Sequence, residues 1–160
     1  HNPMKNVKTN AIRILEQKKA VFRVHRYEPD GIPRTGVEVA ELLGQEPAAV
    51  YKTLVTCGKS GANYVFVIPV AAELNLKKAA EAVGEKSIAM LKSKDLLGLT
   101  GYIHGGCSPV GMKKLFPTLI DRSAEARPAI LLSGGRIGMH IEISLAELRK
   151  ALPFQLAGLV

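Results

Sequence analysis

Apolar and polar positions along this chain switch between two periods, and the switches mark its elements. From Lys8 to Lys19 the apolar residues Ala11, Ile12, Leu15 and Ala20 fall at helical spacing, with Asn10 as the candidate cap. Phe22 to Tyr27 alternates instead, with Phe22 and Val24 on one face and Arg23, His25 and Tyr27 on the other, which predicts a strand. Pro29, Asp30, Gly31, Pro33 and Gly36 make the next stretch a loop. Thr35 and Glu38 form a capping box that opens a helix through Leu43, closed by Gly44; Pro47 suits the first turn of another short helix. Val50–Thr56 and Tyr64–Val70, rich in β-branched and aromatic residues, predict a hairpin around the turn Gly58–Asn63. Asn75 caps a helix carrying Leu76, Ala79, Ala80 and Val83 on one side and ending at Gly84, and Ser93 is placed to cap a shorter one. The stretch Gly98–Gly111 follows neither period. Leu119–Asp121, Ala129–Ser133 and Met139–Ile143 read as strands, the last two joined at Gly134, Gly135 and Gly138, and Ser144 with Glu147 caps a final helix that Pro153 stops. Helices and hairpins alternate without regular βαβ spacing, so a mixed sheet or irregular barrel is expected rather than a doubly wound one.

Composition narrows the class. The chain has 160 residues, 47% apolar and 22% charged, enough to bury roughly 70% of its unfolded surface in one domain. No window approaches the roughly 20 apolar residues of a membrane span, and no cleavable leader is read at the start. His1, Asn2 and Pro3 precede Met4 and read as an expression remnant, leaving residues 4–160 as the expected domain. Two cysteines, Cys57 and Cys107, are too few for a disulfide scaffold or a zinc site of their own, which suits a reducing, cytoplasmic setting. With 22 Lys plus Arg against 14 Asp plus Glu the net charge is +8. Such a balance fits either a partner rich in phosphate or a merely well-solvated basic surface. Aromatic residues are 5% of the chain and Trp is absent, so a nucleic-acid partner would be met along its backbone and at one end rather than through a run of stacked bases.

Three stretches carry more than packing asks of them. In Val50-Tyr51-Lys52-Thr53-Leu54-Val55 a lysine interrupts an apolar strand; it either faces solvent from a half-buried sheet or aims its ammonium into a cleft, where low dielectric strengthens it. Thr100 to Gly111 contains Gly101, Gly105, Gly106 and Gly111, and glycines let a backbone approach a ligand and turn amides toward an oxyanion; the alternative is an ordinary glycine-rich connection. Ser133-Gly134-Gly135-Arg136-Ile137-Gly138-Met139-His140 is, alone, a hairpin turn with a basic tip.

Taken in register, these segments resemble the YbaK/EbsC family of free-standing aminoacyl-tRNA deacylases, relatives of the editing domain inserted in bacterial prolyl-tRNA synthetase. The resemblance runs from about Val7 to about Leu152. It rests on Tyr27-Glu28, on Val50-Tyr51-Lys52-Thr53-Leu54, and on Pro69-Val70-Ala71 with Leu76-Lys77-Lys78. Above all it rests on Gly101-Tyr102 followed by Gly105-Gly106-Cys107-Ser108-Pro109, continued by Pro117-Thr118, Ile120-Asp121 and Ser133-Gly134-Gly135. It implies a mixed α/β fold with a central, mostly antiparallel, partly barrel-like sheet and surrounding helices. It implies removal of a wrong amino acid, typically cysteine on the proline tRNA, and a prolyl-tRNA synthetase as the delivering partner. Carried over residue by residue, Lys52 is the position most tied to activity, Gly105 lines the pocket for the aminoacyl ester, and Tyr27 also lies at that pocket. His140 stands where the family's namesake has an aspartate before the Ile-Glu pair, and Thr35 replaces an aromatic residue; both departures bear on substrate preference.

No Ser/His/Asp triad is apparent, the four histidines show no metal-ligand spacing, and no cofactor is implied. Cys107, set among backbone amides, invites a nucleophile reading. The resemblance implies another route: the cysteinyl thiol of the substrate attacks its own ester and leaves as a thiolactone, while Lys52, Gly105 and Gly106 act on the substrate as catalytic groups and Tyr27, Thr35, Cys107, Ser108, Pro109 and His140 form its binding site. The mischarged tRNA would rest on Lys77, Lys78, Lys113, Lys114, Arg122 and Arg136, each otherwise a solvated surface charge. Two alternatives stand beside this. His140, titrating near neutrality, would activate water in a hydrolase of alanyl-tRNA or another small aminoacyl-tRNA. A non-catalytic tRNA- or synthetase-binding module is the third.

Overall fold

A computed structural model describes residues 8–160, with the remnant expected at residues 1–3 and the start at Met4 lying outside the described residues. The helices are α1 (Asn10–Gln17), α2 (Gly36–Leu42), α3 (Leu76–Val83), α4 (Ser93–Thr100) and α5 (Leu145–Leu148). The strands are β1 (Arg23–Arg26), β2 (Tyr51–Gly58), β3 (Asn63–Pro69), β4 (Ile88–Met90), β5 (Thr118–Asp121), β6 (Ile130–Arg136), β7 (Met139–Ile143) and β8 (Gln155–Ala157). They form two sheets, ordered β1-β7-β6 and β4-β2-β3-β5-β8, with antiparallel pairing throughout except at β3–β5 and β5–β8. The expected mixed α/β class with a mostly antiparallel sheet is what forms; the sheets do not close into a barrel. They meet through a parallel bridge between Val50 and Leu131.

Local chemistry accounts for the element ends. Thr35 accepts from the Glu38 amide while Glu38 accepts from the Thr35 amide, the full capping box. Asn75 caps α3, and Gly84 ends it at φ 74°, a left-handed turn that glycine takes without Cβ strain. Three expected caps differ. Thr9, not Asn10, caps α1 by accepting from the Ile12 amide, and Asn10 instead donates to the Gly111 carbonyl at 2.7 Å. Ser93 is the first residue of α4 rather than its cap, which is Lys92. Ser144 caps α5, but the Glu147 carboxylate reaches the Val21 amide and Lys150 and leaves the box half made.

The main core lies between the sheets, where α1 (Ala11, Ile12, Leu15) packs with Tyr51, Val55, Val65 and Val67 of one sheet and Leu132, Met139, Ile141 and Ile143 of the other. The opposite face of β2 and β3 is covered at one end by α3, over Phe66 and Ile68, and at the other by Ala40 of α2, over Val50, Val70 and Leu131. Side chains alternate between the two faces of a strand, so Lys52 shares the outer face with Val50, Leu54 and its cross-strand partner Ile68.

Candidate active site

On that outer face the register brings two predicted site residues, Lys52 and His140, into line with Ser133 and His25. Ser133 of β6 pairs with His140 of β7, and His140 pairs with His25 of β1. Lys52 and Ser133 each lie two residues beyond the bridge at Val50 and Leu131. Lys52, Ser133, His140 and His25 therefore form one line across four strands, between the cover of α2 and the tip of the β6–β7 hairpin. Lys52 is half-buried and takes part in no hydrogen bond or ion pair among the described residues, leaving its three donors for a ligand. Ser133 is buried, and its hydroxyl accepts from the Gly135 amide, which shapes the hairpin turn.

His140 is only 7% exposed. Its Nδ1 is buried without a hydrogen-bond partner among the described residues. Burial, then the facing His25, pushes its imidazole down to about 4. The ring is therefore neutral through the physiological range. This corrects the expectation that it titrates near neutrality: loss of hydration in this packed row makes the charged form costly. His25 donates from Nε2 to Glu142 Oε1 at 2.8 Å, and Glu142 lies two residues beyond His140 on the same face of β7.

The glycine loop seats on the hairpin tip. A Cβ added to Gly106 would stand 2.8 Å from Cα of Arg136 and 3.0 Å from the Ile137 nitrogen, so backbone meets backbone and no larger residue fits. Gly105, at φ 85°, is exposed beside the Ile137 side chain. Between Ser133 and Arg136 the register shifts, so that their partners His140 and Met139 are adjacent on β7. Tyr102 anchors the loop from below by donating to the Val110 carbonyl at 2.6 Å. The Gly106 amide donates to the Ile103 carbonyl at 3.0 Å and is engaged within the loop, so the oxyanion donor expected from it is not free; the Gly105 amide carries no such bond among the described residues.

Cys107 turns away from this surface into the main core. Burial raises its thiol to about 12, against a weaker downward pull from the Thr100 hydroxyl, so it is not a thiolate and the nucleophile reading fails for want of hydration and counter-charge. Ser108 and Pro109 are buried with it, and the Ser108 hydroxyl accepts from the Val110 amide. These three residues support the loop from behind, whereas Gly105 forms its outer surface. Tyr27 continues β1 at the hairpin tip, its amide donating to the Gly138 carbonyl at 3.0 Å. Thr35 is held in its capping box, and the neighbouring Gly36 packs against Val70.

The basic residues do not form one patch. Arg136 stands at the loop-bearing tip, Lys77 and Lys78 lie on the first turn of α3, and Lys114 sits 6.0 Å over the Phe116 ring. Lys113 passes against Gly101 and donates to the Gly98 carbonyl, and Arg122 lies near Glu125. A groove of about 650 Å³ opens beside Tyr64, Val83, Phe116 and Phe154, away from every predicted substrate residue; its walls are apolar, without the charge an ester needs. Among the described residues no cluster of three His, Cys, Asp or Glu could hold a metal, and no helix is long and apolar enough to cross a membrane. His25 and Glu142 were not legible as site residues in the sequence, because only the register shows that His25 faces His140 and reaches Glu142.

Comparison with known proteins places this chain and its fold in one family. The family model for the aminoacyl-tRNA editing domain matches residues 33–151, and the chain belongs to that family. It is 46% identical over 137 residues to EbsC of Enterococcus faecalis, a candidate Cys-tRNA(Pro)/Cys-tRNA(Cys) deacylase, spanning 86% of this chain and 84% of that one. It is 35% identical over 108 residues to the proline–tRNA ligase of Thermosipho melanesiensis, where the match spans 67% of this chain but 19% of the ligase. A crystal structure of a candidate trans-editing enzyme for prolyl tRNA synthetase superposes with a TM-score of 0.81 at 26% identity, covering 96% of this chain and 98% of that one.

Proposed function

We propose that this protein is a trans-acting aminoacyl-tRNA deacylase that clears cysteine from mischarged Cys-tRNA(Pro), and from Cys-tRNA(Cys), in the cytoplasm. The observation that carries the reading is Lys52, without a hydrogen-bond or ion-pair partner among the described residues, in line with Ser133 and His140, with the exposed Gly105 on the loop seated at the hairpin tip. Membership of the editing family and the 46% identity to EbsC support the substrate class. Prolyl-tRNA synthetase is the partner that the synthetase relatives suggest.

In this reading Lys52 holds the ester carbonyl or terminal ribose, and the Gly105 amide meets the oxyanion as it develops. Tyr27 and Thr35 border the aminoacyl group, His140 and Ser133 floor it, and Cys107, Ser108 and Pro109 fix the loop from within. The substrate supplies the nucleophile. Its sulfur bonds to its own ester carbon, the bond from that carbon to the ribose oxygen breaks, and the thiol proton passes to the leaving ribose hydroxyl. The product ring holds sulfur, Cβ, Cα and the carbonyl carbon, a four-membered thiolactone that water then opens. The protein's part is to hold the near-attack geometry. The neutral His140 lacks the basicity to activate water, which weighs against the hydrolase alternative. Arg136, nearest the loop, together with Lys77, Lys78, Lys113 and Lys114, contributes the phosphate contacts. The test is Lys52→Ala: deacylation of Cys-tRNA(Pro) falls at least about a hundredfold while tRNA affinity is kept. Wild-type protein that binds tRNA and cleaves no ester would mark a binding module instead.

A further inference from the structure

The floor of the site poses a problem of charge. An aminoacyl ester carries an α-ammonium, yet the line Lys52, Ser133, His140, His25 contains no carboxylate. Two carboxylates on the bordering loop and helix are engaged. Asp30 pairs with Arg34, and Glu38 is held in the capping box with Thr35. Glu142 is different. It lies two residues from His140 on the same face of β7, about 7 Å along the strand. One carboxylate oxygen, Oε1, meets His25, and the other has no partner among the described residues, with Arg23 as the cross-strand neighbour of Glu142. Both members of this pair are partly exposed, at 25% and 32% of their side-chain surface, so a ligand can reach them.

Building on the proposed deacylase reading, we propose that Glu142, oriented by His25, is the specificity residue that binds the α-ammonium of the aminoacyl group. The His25 contact restrains a side chain that would otherwise sweep solvent. The neutral His140 then serves as an uncharged wall, one that neither repels the ammonium nor competes for it.

The experiment compares Cys-tRNA(Pro) with 3-mercaptopropionyl-tRNA(Pro), an ester that keeps the thiol and lacks only the amine. Wild-type protein is expected to prefer the cysteinyl ester in kcat/KM by about tenfold to a hundredfold. Glu142→Gln lowers kcat/KM for the cysteinyl ester to the level of the amine-free one and leaves the latter within about twofold, a selectivity that misfolding cannot mimic. His140→Asp in the Glu142→Gln background, which returns a carboxylate to the same face, recovers part of the preference. The inference is overturned if wild type shows no preference, if Glu142→Gln preserves it or lowers both rates alike, or if the double variant recovers none. Wild-type protein that cleaves neither ester overturns the deacylase reading and this inference together.

Discussion

Val50 and Leu131 pair in parallel, and through this bridge a lysine on one sheet comes level with a serine on the other. Each strand alone is ordinary: β2 belongs to a hairpin with β3, and β6 to a hairpin with β7. Joined at that point, they carry Lys52, Ser133, His140 and His25 on one continuous face whose reverse is packed into the main core. The core side fixes the position of the polar side, since sliding β2 by one residue would turn Tyr51 and Val55 out of the core and Lys52 into it.

His140 makes stability depend on pH. Its folded pKa lies near 4, below the ordinary 6.5, so the unfolded chain binds the proton more readily. This contribution is fully present above pH 6.5 and is lost as pH falls toward 4. Between pH 7 and pH 5 the linkage is worth about 2 kcal/mol. Urea denaturation at the two values measures it, and His140→Asn is expected to show a correspondingly smaller difference between pH 7 and pH 5 than wild type.

Gly106 tests the seating of the loop. In Gly106→Ala the new methyl lands on the backbone of Arg136 and Ile137, atoms that no rotamer change can move aside. A loss of about 2 kcal/mol in stability is expected, with a larger fall in deacylation than in tRNA affinity. At Gly105 the near neighbour is the flexible Ile137 side chain, and the cost of Gly105→Ala comes from its positive φ, about 1 kcal/mol. The order of the two in thermal melts is the check.

Cys107 separates a nucleophile in the protein from one in the substrate. With its thiol pushed up to about 12 and its side chain in the core, it should resist alkylation at pH 8 in the folded protein and react only after unfolding. Cys107→Ala should keep kcat/KM within about threefold while losing about 1 kcal/mol of stability. Loss of deacylation in a folded Cys107→Ala protein would contradict the core role assigned to it.

Much of the fold was legible where chemistry is local. The Thr35–Glu38 capping box, the Asn75 cap with Gly84, and the hairpin from Val50 to Val70 all follow from residues within one turn or one strand pair. Strands β4 and β8 were not legible: each has three residues, too few for alternation, and owes its form to a neighbour supplied by a distant part of the chain. Ser93 and Asn10 looked like caps because their hydroxyl and amide suit that role, but the adjacent backbone left them one position inside. At the site, the motif residues were recognisable through family resemblance, whereas the engagement of the Gly106 amide and the pairing of His25 with Glu142 depend on three-dimensional contacts that no spacing encodes. His140 looked like a titrating base because exposure cannot be read from its neighbours in sequence; its burial is what silences it.

The central claim is that the substrate brings its own nucleophile to a site that supplies only placement and charge. The most direct test is the single-turnover rate of deacylation for Cys-tRNA(Pro) beside Ala-tRNA(Pro), which is smaller and differs by the sulfur alone. The account predicts cysteinyl ester cleaved at least about a hundredfold faster. Equal rates for the two esters would contradict it.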